Sequence, residues 1–268
     1  MKVSDFPLIR RARGYHLYDT GGNRYLDMYL DNGRAFLGHS PVRTITSLKN
    51  ALEKSTPAEY PSVYSARLVK AAADLLPEHP VVRIFRSPER VREVLDLGEK
   101  EIAEPVRLFA DSAGGPPDSG GISYWRPLLA EEKRYPDVVL PILPLPGSFV
   151  PRLICGREGT LSGLPASDTC SPVLLAAMTR SIYDLVDFIE THRGRDFPEF
   201  ELPGMARQGW YLYPECPGEE YRALAARLRK GGVLINPDHR GVSIVPAEYT
   251  RGEIKVFSRI AEGKEVWT

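Results

Sequence analysis

The chain has 268 residues, 43% hydrophobic and 26% charged, a balance that excludes disorder as the main state and suits one large domain or two packed ones. Its 35 basic and 35 acidic side chains cancel, which excludes bulk electrostatic attraction to nucleic acid or to an anionic membrane. No stretch approaches the roughly 20 apolar residues of a membrane helix, and the opening MKVSDFPLIRR has no apolar signal core, so a cytoplasmic location is expected.

In chain order, Gly21-Gly22-Asn23 predicts a turn, and Leu26, Met28 and Leu30 then alternate with polar or aromatic residues as in a strand. Ser40-Pro41 reads as a helix cap followed by proline in the first turn, with Val42, Ile45, Leu48 and Leu52 at helical spacing. A second helix is predicted over 65–76, with Leu68, Ala72, Leu75 and Leu76 on one face and Pro77 as its stop. Then come a short apolar strand at 81–85, a helix opened by Pro88 and running to about 103, and a strand at 106–110. Residues 111–121 form a Gly/Pro-rich loop, followed by strands at 137–145 and 152–155. Ser171-Pro172 repeats the cap-plus-proline signal before a long helix bearing Leu174, Leu175, Met178, Ile182, Leu185 and Ile189. Strands alternating with helices argue an α/β sheet with parallel pairing.

Beyond Gly194 prolines crowd an extended region in which 210–213 reads as a strand. A helix from about Glu219 ends at Gly231-Gly232, Val233 to Ile235 and Val242 to Val245 flank a Pro237-Asp238 turn, and Thr250-x-x-Glu253 is a capping box. These divisions predict an N-terminal segment at 1–60, a reduced α/β region at 61–194 and an α+β subdomain at 195–268.

Few motifs carry chemistry. The histidines at 16, 39, 79, 192 and 239 have no metal-ligand spacing, so no metal is expected. Cys155, Cys170 and Cys216 form no CxxC pair and read as reduced thiols. Asp118-Ser119-Gly120-Gly121 has the letters of a serine-protease nucleophile without the double barrel, histidine and aspartate that give it meaning. Arg10, Arg11 and Arg13 read as surface charge, and Arg222, Arg227, Arg229 and Lys230 as a solvated helix end.

The stretch Tyr15-x-x-Tyr18-Asp19-x-x-Gly22-Asn23-Arg24-Tyr25-Leu26-Asp27, followed by Gly38-His39-Ser40-Pro41, resembles the class III aminotransferases, pyridoxal-phosphate enzymes of fold type I that include the glutamate-1-semialdehyde aminomutases. Pro136-Asp137-Val138-Val139 with Cys155-Gly156-Arg157 is similar to the family's strand, lysine loop and strand, and Ser167 to Pro172 to its segment that crosses a dimer interface. Arg227 to Ile235 and the capping box at Thr250 resemble its closing subdomain. The resemblance implies a truncated fold-type-I sheet with a C-terminal α+β subdomain. Family members run well over a hundred residues longer.

The residues that would do the family's chemistry are missing or altered. A pyridoxal enzyme needs a lysine to hold the cofactor aldehyde; the alignment places Leu143 there, and 134–229 contains no lysine. The phosphate turn matches Ser87-Pro88-Glu89-Arg90, where proline removes a donor and Glu89 adds negative charge. The family's Tyr-His-Gly segment has no counterpart, and an arginine that pairs substrate carboxylate falls at about Ser243. The resemblance leaves three cofactor-binding candidates: Ser87, Asp111 as partner of the pyridine nitrogen, and Ser167 as a hydroxyl reaching the phosphate. For Asp111 the plainer reading is a strand-end turn former, for Ser167 a polar loop residue, and for His39 a packed or bonded loop residue.

The expectation is therefore an aminotransferase-like protein without pyridoxal-phosphate catalysis or catalytic residues, acting in binding or regulation. A transaminase- or aminomutase-type enzyme using pyridoxal phosphate, or one reusing the cleft, is the alternative. Expected partners are a second copy in a homodimer, with Tyr25, Tyr29, Phe36, Tyr60 and Tyr64 as interface aromatics, an active paralogue, and an unidentified small molecule.

Overall fold

The computed structural model describes residues 5–54, 58–98, 102–106, 121–129, 135–147, 149–194, 202–261 and 264. In chain order the elements are β1 (Ile9–Arg13), β2 (His16–Asp19), β3 (Arg24–Asp27), α1 (Val42–Lys54), α2 (Val63–Leu75), β4 (Val81–Phe85), α3 (Pro88–Val94), β5 (Ile122–Trp125), β6 (Val138–Pro141), β7 (Arg152–Gly156) and α4 (Pro172–His192). They continue as β8 (Met205–Gln208), β9 (Tyr211–Pro214), α5 (Gly218–Lys230), β10 (Val233–Leu234), β11 (Ser243–Ile244) and α6 (Arg251–Ala261). Two compact units emerge, one of Pro41–Pro127 with Glu131–Arg193, the other of Met1–Ser40, Leu128–Ala130 and Gly194–Thr268.

In the first unit the sheet order is β4-β7-β6-β5. β7 runs antiparallel to both neighbours, and only β5 and β6 pair in parallel. The expected parallel sheet is thus corrected to a mixed one. The β6–β7 connection is too short for the crossover of a dozen or more residues that parallel pairing needs, so the chain turns straight back. Apolar alternation feeds both faces: Val82, Ile84, Val139, Leu153 and Cys155 join Leu68 and Ala72 of α2 and Leu175 and Met178 of α4. Phe85, Leu140 and Ile154 pack with Val91 of α3.

The helix expected from Pro88 to about 103 stops at Val94, where Asp96 and Gly98 take positive φ of 48° and 51°. Ala103 instead bridges Ser123 in parallel. Pro105 and Val106 are helical, which corrects the start of the strand expected at 106–110; its other residues lie outside the described ones.

In the second unit β1, β2 and β3 form an antiparallel meander, and β10 adds to β3 in parallel. β11 pairs with β9, which pairs with β8, so the two strands that flank the Pro237-Asp238 turn go to different sheets. The glycine cap of α5 forms at Gly231-Gly232: Gly231 is the C-cap at φ −84° and Gly232 takes the left-handed +79°. The Thr250 capping box forms, with Glu253 accepting the Thr250 N–H at 2.6 Å and Thr250 Oγ1 accepting the Glu253 N–H at 3.3 Å. The other Glu253 oxygen meets His16 Nε2 at 2.8 Å and an Arg24 guanidinium nitrogen at 3.1 Å, tying α6 to the meander.

Among the described residues no helix is long and apolar enough to cross a membrane. Cys155 and Cys170 are buried, and burial pushes their thiols up to about 12 and about 11, while Cys216 is half-exposed. Because the thiolate is the nucleophile, iodoacetamide at mildly alkaline pH is expected to label Cys216 alone in the folded protein. Peptide mapping should find Cys155 and Cys170 modified only after denaturation.

Candidate functional site

β4 and β6 are both antiparallel to β7, and β5 is parallel to β6, so β4, β5 and β6 end at the same edge of the sheet. Just past those ends stand Ser87, Arg126 and Leu143. This carboxyl edge is where open α/β sheets place ligands. β4 and β6 flank β7, roughly 10 Å apart by strand spacing.

Ser87 is the N-cap of α3, its hydroxyl accepting the Arg90 N–H at 3.2 Å, and Pro88 fills the first turn. Glu89 accepts its own backbone N–H and the Ser87 hydroxyl, which hold its carboxyl below the usual range. Ser167 and Asp168 lie along the end of β4. Ser167 Oγ accepts the Ile84 N–H at 3.0 Å, and the Asp168 N–H donates to the Ile84 carbonyl at 2.8 Å. The Asp168 carboxylate then accepts the Arg86 N–H at 3.1 Å and Arg86 Nε at 3.4 Å, with Arg90 Nε at 3.7 Å. Ser87 and Ser167 are therefore brought to one strand end, each hydroxyl engaged with backbone.

Leu143 belongs to the same edge, but its side chain is 7% exposed and packs into the core with Val139, Cys155, Leu175 and Met178. Asp111 lies outside the described residues. Pyridoxal phosphate needs an amine for its aldehyde and an open anion cradle for its phosphate. This edge offers a leucine turned into the core and a turn with two carboxylates on its N–H groups. The residues present do not fit the cofactor.

Sequence reasoning missed the edge's most buried charge. Arg126 follows β5, its side chain is 1% exposed, and Nε and one terminal nitrogen meet the two Glu104 oxygens at 2.7 and 2.8 Å. The Ala103–Ser123 bridge carries Glu104 to that position. Tyr135 donates to the Arg126 carbonyl at 3.3 Å, and burial pushes its phenol well above the usual range. An arginine after a strand and a glutamate twenty-two residues earlier have no local signature, so only the fold reveals the pair.

In the other unit, His39 Nε2 bonds the buried Asp27 carboxylate at 2.7 Å. The other Asp27 oxygen accepts the N–H groups of Tyr29 and Leu30, at 2.9 and 3.1 Å. These bonds clamp a left-handed turn in which Leu30, Asp31 and Asn32 have φ of 49°, 49° and 56°, a conformation L-residues hold only under such constraint. Ser243 is buried and accepts the Asn236 N–H at 3.0 Å. Phe36, taken as an interface aromatic, is 3% exposed and rests beside Trp210 and Tyr211 of its own unit. That part of the expectation is corrected, because an aromatic ring finds its apolar cover within the chain.

No family model matches the chain. An uncharacterized protein of Treponema pallidum is 31% identical over 296 residues, spanning 91% of this chain and 90% of its own length. Another, from Borreliella burgdorferi, is 26% identical over 260 residues, 96% of this chain and 91% of that one. The glutamate-1-semialdehyde 2,1-aminomutase of Syntrophobacter fumaroxidans is 30% identical over 79 residues, which is 30% of this chain but 18% of the enzyme. Among solved structures, an ornithine aminotransferase of Plasmodium yoelii superposes with a TM-score of 0.68 at 13% identity, covering 96% of this chain and 93% of that one. An ω-transaminase from Sphaerobacter thermophilus gives 0.62 at 13% identity, over 96% and 90%.

Proposed function

Since the chain belongs to one family with the Treponema pallidum protein and carries a shortened class III aminotransferase fold, we propose that it is a relative that has lost pyridoxal-phosphate catalysis and serves in binding or regulation. The observation that carries this reading is Leu143. At the position the aminotransferase resemblance gives to the cofactor's lysine stands an apolar side chain that is part of the core, and 134–229 contains no lysine to take its place. Without an amine there, the covalent anchor and electron sink of the cofactor have no attachment point.

The same reading makes the protein a cytoplasmic homodimer, with an active paralogue or a small molecule as a further partner. The exposed apolar side chains Val42, Leu52, Tyr60 and Val63, on α1 and around the start of α2, support a docking face. The test is covalent chemistry. Protein incubated with excess pyridoxal phosphate, reduced with borohydride, and mapped by peptide mass spectrometry is expected to carry no stoichiometric pyridoxyl-lysine. One full equivalent on any single lysine would end the reading.

A further inference from the structure

We propose that Asp168 is a built-in anion that has replaced the cofactor's phosphate at the β4–α3 turn, so that the chain closes this edge of the sheet with its own carboxylate. The inference rests on the loss of cofactor binding and names what took the cofactor's place.

The geometry is that of a filled anion position. The Asp168 side chain is 10% exposed, although the arginine side chains it faces, those of Arg86 and Arg90, are 58% and 32% exposed. The carboxylate is thus directed inward, onto the backbone N–H of Arg86. Its placement is fixed from both sides of the peptide by β4: Ile84 donates to Ser167 Oγ, and Asp168 donates back to Ile84. Of the following N–H groups, that of Arg90 goes to Ser87 Oγ and that of Glu89 to its own carboxylate, and Pro88 has none. A phosphate dianion brought here would find no unengaged N–H on Arg86, Glu89 or Arg90, and two carboxylates at close range. Hydrogen bonds from backbone N–H and guanidinium to a carboxylate are charge-assisted. They do for the loop before α4 what a ligand would otherwise do, fastening 167–168 to the end of β4.

The experiment compares the full-length chain with Asp168→Ala and Asp168→Asn by thermal unfolding, in sodium phosphate and in sodium chloride of equal ionic strength. The wild-type midpoint is expected to differ between the two salts only by phosphate's general exclusion from protein surfaces, and to be unmoved by pyridoxal phosphate. Asp168→Ala is expected to lose several degrees in chloride, and inorganic phosphate to restore part of that loss by supplying the missing anion. Asp168→Asn keeps an acceptor without the charge, and should fall between; it also reports if the alanine variant fails to fold. A wild-type midpoint raised by phosphate as much as that of Asp168→Ala would show the position no more closed in the wild type and overturn the proposal. A variant as stable as wild type, or one that gains no more from phosphate over chloride than wild type does, would reduce Asp168 to an ordinary surface ion pair and overturn it equally. These outcomes differ from failure of the functional reading, which shows as a pyridoxyl-lysine whatever Asp168 does.

Discussion

Arg126→Met is expected to destabilise the chain by about 3–5 kcal/mol, the usual cost of removing one partner from a buried ion pair. The guanidinium is 1% exposed and bidentate on Glu104, whose own side chain is 14% exposed. Methionine fills similar volume, so the loss is electrostatic: Glu104 keeps a desolvated carboxylate with its counter-charge gone. Glu104→Leu removes the opposing charge from the buried arginine instead and should cost a comparable amount. The double variant Arg126→Met/Glu104→Leu removes both charges, and should recover much of the loss, since buried pairs are often replaceable by apolar groups. Urea unfolding of the four proteins gives the coupling directly. Single-variant effects below about 1 kcal/mol would mean that water reaches the pair.

Local chemistry made much of the chain legible before the fold was seen. Ser171-Pro172 opens α4, Thr250 and Glu253 cap α6, and Gly21-Gly22-Asn23 turns β2 into β3 because each signal acts within a few residues. The errors arose where partners distant in sequence decided the outcome. β10 leaves its turn to lie beside β3, more than two hundred residues earlier, and β7 reverses the sheet because its connection is short. Ala103 reads as helix until Ser123 offers it a bridge. At the site, the mismatch of Leu143 and Pro88 with the cofactor is visible in single residues. The carboxylate that fills the turn is not, because Asp168 reaches Arg86 across eighty-two residues.

Leu143→Lys, which puts a lysine at the position the aminotransferase resemblance gives to the cofactor's lysine, is expected to damage the protein rather than create a site. Leu143 sits in the cluster that holds Val139, Cys155, Leu175 and Met178, at 7% exposure. Lysine there loses those contacts, about 2–5 kcal/mol for a buried leucine truncated to alanine, although its stem recovers part of them. It also takes an ammonium out of water, which costs further unless the group deprotonates, its pKa then falling by several units. The sum is about 4 kcal/mol or more, a large part of the roughly 5–15 kcal/mol that holds an ordinary domain folded. Leu143→Met keeps volume and apolarity, and should cost less than about 1.5 kcal/mol. Circular dichroism through a thermal ramp separates the two variants. A Leu143→Lys protein as stable as wild type, and yielding one equivalent of borohydride-reduced pyridoxal phosphate on residue 143, would show that this position faces an open cleft. The expected result is the reverse: the methionine variant unfolds close to wild type, while the lysine variant unfolds far below it and carries no such adduct.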